Sequence, residues 1–421
     1  MIFLVLVFRF QTFKVNIFFK ISHCSGVHSG RYKNKWLNLY VVYNKRVHMK
    51  PEIVKVKGRS RLKEFIDFPE KLYEVCPNWV PPLRGDEFDT FNRKVNGAYD
   101  YCDSECFLAY HGKKPVGRIA AIINRKANDV WGCKVVRFGW LDFIEDEDVA
   151  RALTDAVAEW GRERGCEVIK GPLGFTDMDK EGLLVAGYER LSPFTCLYNY
   201  PYYDAILERI GFSKDVDWTQ RLIYIDEKCP DVFKYASVVE ERYDIHPVYP
   251  TSIKELSEKY GLEIFHMYNK AFAPLFQFTP LSDRQIERYL KTYVPILSPD
   301  FVSIVVNGEG KPVAFAFCVP SLSAAVKKSR GRLFPLGFLR ILRALRHNDT
   351  LEALMIGVLP EYQAKGATIL MFKHIHERCI KRGIKKIILN PQLETNLKVQ
   401  TLFDGYRAEP YMKRRAYSKN I

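Results

Sequence analysis

The feature that most restricts how this chain can fold is an internal echo. Residues 105–124 read "ECFLAYHGKKPVGRIAAIIN" and residues 300–320 read "DFVSIVVNGEGKPVAFAFCVP". Both alternate, turn at a glycine and resume through Lys-Pro-Val into a β-rich run, which predicts a β-hairpin in each case. The same order follows each hairpin: a strand, a helix and a strand. In the first half these are "KVVRFGWLDFI", "EDVARALTDAVAEWGRERG" and "CEVIKGPL". In the second they are "LEALMIGVL", a helix around 367–382, and "IKKIILNP". Arg164-Gly165 and Arg382-Gly383 supply the basic last turn and glycine that end helices. Each half closes with a short helix and a last strand, "YYDAILERIGF" to "WTQRLIYID" and "NLKVQTLFDGY" to "KRRAYSK". The spacing between matching pieces drifts along the chain, as in a diverged duplication.

With 421 residues the chain exceeds one ordinary core. The echo predicts two domains, 49–228 and 229–421, divided near "DEKCPDVF" (226–233), with amphipathic helices in 234–295 opening the second. The net charge of +15 invites a nucleic-acid reading until its location is considered. Residues 1–48 carry eight basic side chains and 326–346 carry seven, neither stretch with an acid, so the remainder is formally neutral. Charge confined to two segments argues against a specific nucleic-acid partner. In the first segment, "MIFLVLVF" is stopped by Arg9, short of the about 20 apolar residues of a membrane span. It also lacks the flanks of a signal peptide. Residues 1–48 are expected to be a disordered extension outside the fold, with Met49 the start of the folded protein; a basic membrane-surface anchor is the rival reading. Ten cysteines form no CxxC pair, no histidine cluster has zinc spacing, and no metal site is expected. Scattered thiols without a secretory signal point to a cytoplasmic protein.

Residues 357–373 read "GVLPEYQAKGATILMFK". A strand runs through Pro360 into a turn with no acid, and then directly into an apolar helix. The first amides of a helix lack internal partners and carry partial positive charge, so they bind anions. A glycine lets the backbone approach the anion closely. The equivalent place in the first half, "LDFIEDEDVARA", is crowded with Asp142, Glu145, Asp146, Glu147 and Asp148. Those acids suit the helix dipole and would repel a phosphate.

This order of elements around a Gln-x-x-Gly turn resembles the GNAT acyltransferase family. The second half is similar to that family and the first to a degenerate copy. The resemblance implies a tandem GNAT-like α/β fold, each half a mixed, mostly antiparallel sheet flanked by helices. It also implies one acyl-CoA site, with acetyl-CoA the expected co-substrate. The residues it assigns to CoA are Val358, Leu359, Gln363, Ala364, Lys365, Gly366, Ala367, Thr368 and Asn396. Thr368 departs from the glycine or alanine usual in the family, and Lys365 would add a charge beside the pyrophosphate. Where family members place a tyrosine seven residues after the asparagine, to protonate the leaving thiolate, this chain has Phe403. Glu361, Tyr406 and Tyr411 are the remaining catalytic candidates, and no general base is identifiable. The implied function is transfer of an acyl group, expected to be acetyl, to an amine of a small molecule or peptide. The alternatives are Fem-like aminoacyl or long-chain acyl transfer at a membrane surface, and a non-catalytic GNAT-like binding protein.

Three stretches lie outside that scheme. "GPLGFTDMDKEGLLVAGYE" (171–189) reads as a mobile loop facing the site, its acids suited to a cationic amine, or equally as a solvated loop. "LYNYPYY" (197–203) suits either an acceptor pocket or packing between the halves. "RLFPLGFLRILRALR" (332–346) is a basic amphipathic helix with Arg340, Arg343 and Arg346 at every third position. It suits contact with a membrane surface, an acyl chain or a nucleic-acid backbone, or a helix packed on the core with its arginines exposed.

Overall fold

In the computed structural model, residues 50–421 are described; the expectation for 1–48 lies outside them. The first half runs β1 (Glu52–Lys55), α1 (Gly58–Leu72), α2 (Arg84–Thr90), β2 (Cys102–His111), β3 (Lys114–Asn124), α3 (Arg125–Trp131), β4 (Val135–Phe143), α4 (Glu147–Arg162), β5 (Val168–Gly171), β6 (Leu183–Ala186), α5 (Tyr202–Arg209) and β7 (Ser213–Tyr224). The second runs α6 (Ala236–Tyr243), β8 (Ile245–Val248), α7 (Leu262–Phe272), α8 (Asp283–Tyr293), β9 (Val302–Asn307), β10 (Pro312–Pro320), α9 (Ser323–Lys328), α10 (Gly337–Arg346), β11 (Thr350–Val358), α11 (Ala367–Arg382), β12 (Lys386–Ile388), β13 (Gln392–Leu393), α12 (Leu397–Gln400) and β14 (Ala408–Asn420). Both hairpins and both central helices occur where the sequence places them. α11 stops where Gly383 takes a left-handed conformation and its N–H returns to Cys379 and Ile380.

The fold is mixed α/β, with a mostly antiparallel sheet flanked by helices. All the described strands join one sheet, in the order β1-β2-β3-β4-β5-β14-β7-β12-β11-β10-β9-β8, with β6 on β14 and β13 on β7. The last strand of each half therefore sits against the other half. β14 lies beside β5, and β7 lies beside β12. Between them β7 and β14 pair along most of their length. Charge fixes this seam: the fully buried Asp217 on β7 takes Arg415 at 2.8 Å and Lys413 at 2.7 Å, both on β14, and Lys214 at 3.2 Å. Burial alone would raise this carboxyl, but the hydrogen bonds from Arg415, Lys413 and Lys214 outweigh it and hold it at about 2.

Parallel pairing is short in both halves. β4 pairs β5 only over Val135–Arg137, and β11 pairs β12 only over Thr350–Glu352. Beyond those residues the strands part, leaving two forks in the sheet. α4 packs across one fork through Val149, Leu153 and Val157, in a core with Phe138 and Phe143. α11 packs over β9 and β10 beside the other, with Leu370, Met371 and Ile375 in a core with Leu351 and Ala353.

Candidate functional site

The two forks end differently. At the first, Asp146 caps α4, its carboxylate accepting from the N–H groups of Asp148 (2.9 Å) and Val149 (3.4 Å). The backbone of Phe143 is taken up as well: its N–H donates to the Tyr203 hydroxyl at 3.0 Å, and its carbonyl accepts from Tyr202. The Tyr73 hydroxyl donates to Asp142 at 2.8 Å, and Arg118 completes a buried ion pair with the same carboxylate at 2.8 Å. "LYNYPYY" thus packs on both sides: Tyr200 lies on Tyr73 and Tyr203 on Phe143 within the first half, while Tyr198 shares a core with Ile388, Tyr411 and Met412 of the second.

The second fork keeps its helix start open. Pro360–Tyr362 form a 3-10 turn, Gly366 sits at φ +75°, and no side chain among the described residues caps α11. A side chain at Gly366 would be strained by that φ and would meet Val239 Cγ2 at 2.9 Å. The Lys365 ammonium lies 4.4 Å from the centre of the Tyr362 ring, beside the turn. Ala367 and Thr368 begin the helix, Gln363 and Ala364 belong to the turn, and Val358 and Leu359 close the strand before it. Asn396 immediately precedes α12, and its side chain does not cap it.

Between the splayed strands and α11 lies an apolar slot lined by Ala353, Ile356, Phe372, His376, Phe403 and Tyr406, among others. Its volume is about 30 Å³. Phe403 stacks on Phe372 with ring centres 5.0 Å apart. Of the three catalytic candidates from sequence, Tyr406 lines this slot, and burial raises its hydroxyl above the ordinary range. Tyr411 is committed elsewhere: its hydroxyl donates to the Leu191 carbonyl at 2.7 Å, and burial pushes it up to about 12. Glu361 lies exposed in the 3-10 turn.

Sequence reasoning missed Glu352. It is the last residue of β11 paired to β12, so it stands at the mouth of the fork. Strand alternation turns it away from Leu351 and Ala353, which face α11. The carboxyl is 2% exposed; Oε1 accepts from the hydroxyls of Ser321 and Ser323, the latter at 2.7 Å, and Oε2 has no partner among the described residues. Burial raises this carboxyl, against the lowering effect of the Ser321 and Ser323 hydroxyls and of the nearby Phe194 amide. A lone glutamate in an apolar strand was the available signal.

On the Glu352 side of the sheet lies the loop between β5 and β6, and it is pinned rather than mobile or solvated. Arg137 donates to the carbonyls of Gly174 (3.2 Å) and Gln277 (2.8 Å), and Asn124 holds Phe175. The Asp179 carboxylate accepts from the N–H groups of Phe175 and Thr176. Burial pushes Asp177 up to about 7, opposed by Arg137 and reinforced by Asp179. Burial raises Asp179 to about 6 and lifts Glu181 as well, the latter aided by Asp177. Lys180, depressed by burial, lies within electrostatic reach of Glu87, Arg414 and Glu352. Arg414 is fully buried, and its Nε and Nη1 have no partner among the described residues. The cluster can therefore present either carboxyl or carboxylate near neutral pH, beside an unpaired guanidinium.

Among the described residues no group of three His, Cys, Asp or Glu could hold a metal ion. Nor is any helix there long and apolar enough to cross a membrane.

No family model matches the chain. Over 88% of its length it superposes on 98% of a tandem GNAT protein from the clavulanic acid biosynthesis pathway, with a TM-score of 0.51 and 12% identity. The chain has a tandem GNAT-like fold. In sequence, this tandem GNAT-like chain is 26% identical to Protein YghO of Escherichia coli (strain K12), over 86% of its own length and 94% of that protein's. It is 24% identical to the bacterial ceramide synthase of Caulobacter vibrioides (strain NA1000 / CB15N), over 88% of its own length and 97% of that enzyme's.

Proposed function

We propose that this protein is an acyltransferase that moves an acyl group from acyl-CoA to an amine, working at the second-half fork. The observation that carries the reading is the contrast between the two helix starts. One is closed by Asp146 and by the tyrosines on Phe143; the other is bare, glycine-fronted and flanked by Lys365. Bare amides with a neighbouring ammonium suit a pyrophosphate. The apolar slot behind them suits a pantetheine arm. At about 30 Å³ the slot holds little more than a water, so entry requires Phe372 and Phe403 to part.

The chemistry asked of the chain is modest. A cationic amine first gives up one proton to free its lone pair; the nitrogen then forms a bond to the thioester carbon, the C–S bond breaks, and a second proton leaves the nitrogen while the thiolate gains one. Glu352, at the mouth of the fork with a free oxygen, is placed to take the proton from the amine. Tyr406, in the slot, is the candidate to return one to sulfur. Asp177, Asp179 and Glu181 suit a cationic amine waiting on that side, and holding amine and thioester together supplies much of the acceleration.

A second observation favours a lipid reaction over the acetyl transfer expected from sequence. Ceramide is the amide of a fatty acid with a long-chain amino alcohol, and one relative is a ceramide synthase. A long acyl chain, a long-chain amine or both therefore fit this protein better than acetyl on a small amine. Thermal unfolding with CoA, acetyl-CoA and palmitoyl-CoA tests the reading. Stabilisation is expected with all three, greatest with palmitoyl-CoA, and its absence with every one of them would refute acyl-CoA binding. Mass spectrometry of long-chain amines incubated with palmitoyl-CoA then separates a transferase from a protein that only binds.

A further inference from the structure

The segment between β10 and β11 presents the least ordinary surface of the described residues. Leu333, Phe334 and Leu336 stand in the loop before α10, and Phe338, Leu339 and Leu342 stand on its outer face. All six are exposed, Phe334 by 79%, Leu336 by 56% and Leu339 by 51%. Phe334 and Phe338 rest on each other with ring centres 5.8 Å apart. The inner face of α10 is accounted for, because Ile341, Ala344 and Leu345 pack on Val80, Leu322 and Val326. Among the described residues nothing packs over the outer face. Globular surfaces show single exposed apolar residues, whereas six within ten positions form a patch that marks an interaction site.

Charge says what kind of partner fits. Residues 326–346 hold Lys327, Lys328, Arg330, Arg332, Arg340, Arg343 and Arg346 and no acid. Arg332 pairs with Glu70 at 2.9 Å, and Lys327 is engaged by the carbonyls of Cys76 and Trp79. Arg343 and Arg346 remain exposed beside Leu339 and Leu342. A second copy of this chain would bring the same uncompensated positive charge face to face. A bilayer with anionic lipids offers apolar depth for the leucines and phenylalanines and negative charge at the level of the arginines.

We propose that residues 332–346 dock the protein on an anionic membrane, with Phe334, Leu336, Phe338, Leu339 and Leu342 entering the interface and Arg340, Arg343 and Arg346 lying at the headgroups. The same segment begins with Ser321 and Ser323, which hold Glu352, and Phe194 packs against α10 while its amide also faces Glu352. The docking face and the proposed acceptor side are thus built on one connection. This deepens the lipid reading of the function by naming the source of its substrate, but it stands on the surface itself.

Co-sedimentation of the full chain with vesicles of phosphatidylcholine alone, or of phosphatidylcholine with phosphatidylglycerol, tests it. Binding is expected to the anionic vesicles and to weaken with salt. Replacing Arg340, Arg343 and Arg346 by Gln should lower the partition coefficient on the order of 100-fold. Phe334→Ser with Leu339→Ser should abolish binding at high salt, where only the apolar contribution remains. Arg343, Arg346, Phe334 and Leu339 are exposed, and at the half-buried Arg340, which donates to the Lys328 carbonyl at 2.8 Å, Gln keeps a donor, so unfolding temperature and stabilisation by palmitoyl-CoA should be unchanged; that keeps failure of docking distinct from failure of the acyl-CoA reading. Wild-type protein that stays in the supernatant with anionic vesicles, or variants that bind as tightly as wild type, would overturn the proposal. So would a stable dimer that the serine variant converts to monomer.

Discussion

Asp177→Asn should stabilise this protein at alkaline pH and leave it unchanged in acid. Burial lifts the Asp177 carboxyl from 3.8 to about 7, with Arg137 pulling it down and Asp179 pushing it up. Between those two values the native state holds a proton that the unfolded chain has lost. Stability attributable to this group is therefore fully present below pH 4 and declines as pH rises towards 7. A gap of about 3 pH units, at 1.36 kcal/mol each, is about 4 kcal/mol by pH 8. Asp177 keeps some contact with solvent, so water screening makes this an upper bound. Asparagine stays neutral at every pH. The variant should match wild type at pH 4 and exceed it by about 2–4 kcal/mol at pH 8. Thermal or urea unfolding followed by circular dichroism at both pH values reads the difference directly. A variant equally displaced at the two values, or less stable than wild type at pH 8, would show that Asp177 is ionised and paired in the native protein. The cationic-amine reading of the loop would then lose its electrostatic basis.

Further outcomes can be measured at the fork and the seam. Glu352→Gln should lower kcat by about 10²–10⁴-fold with little change in acyl-CoA affinity. It should also remove the acid limb of the pH–rate profile, which in wild type rises through the raised pKa of Glu352. Gly366→Ala should cost about 1–2 kcal/mol, because φ +75° disfavours any side chain and the methyl meets Val239. Adding Val239→Ala should recover only the crowding share, and both variants should lose stabilisation by CoA. Asp146→Ala should cost about 1 kcal/mol as a lost cap, with CoA stabilisation unaltered. Deleting 408–420 removes the strand lodged between β5 and β7, so neither half should unfold cooperatively; a sharp transition in the truncated protein would contradict the exchanged-strand seam.

The sequence by itself determined the local parts. Alternation around glycine turns announced both hairpins, and the basic last turn with glycine announced where α11 ends. The contrast between "IEDEDV" and "QAKGAT" was legible because a capping carboxylate and a bare glycine act within a few residues of the helix they start. Tertiary structure decided what those parts are next to. A period of two tells which residues of β7 and β14 share a face but not which strand lies beside them, so the exchange that seats each half's last strand against the other half could not be read. The role of Glu352 was hidden for the same reason. A glutamate in an apolar strand becomes a candidate base only once the sheet forks beside it and Ser321, Ser323 and Phe194 close around it. The acids at 177–181 likewise looked solvated or mobile until Arg137 and Asn124, far along the chain, were found to fix their loop. Burial, which sets their protonation, comes from residues brought together only by folding.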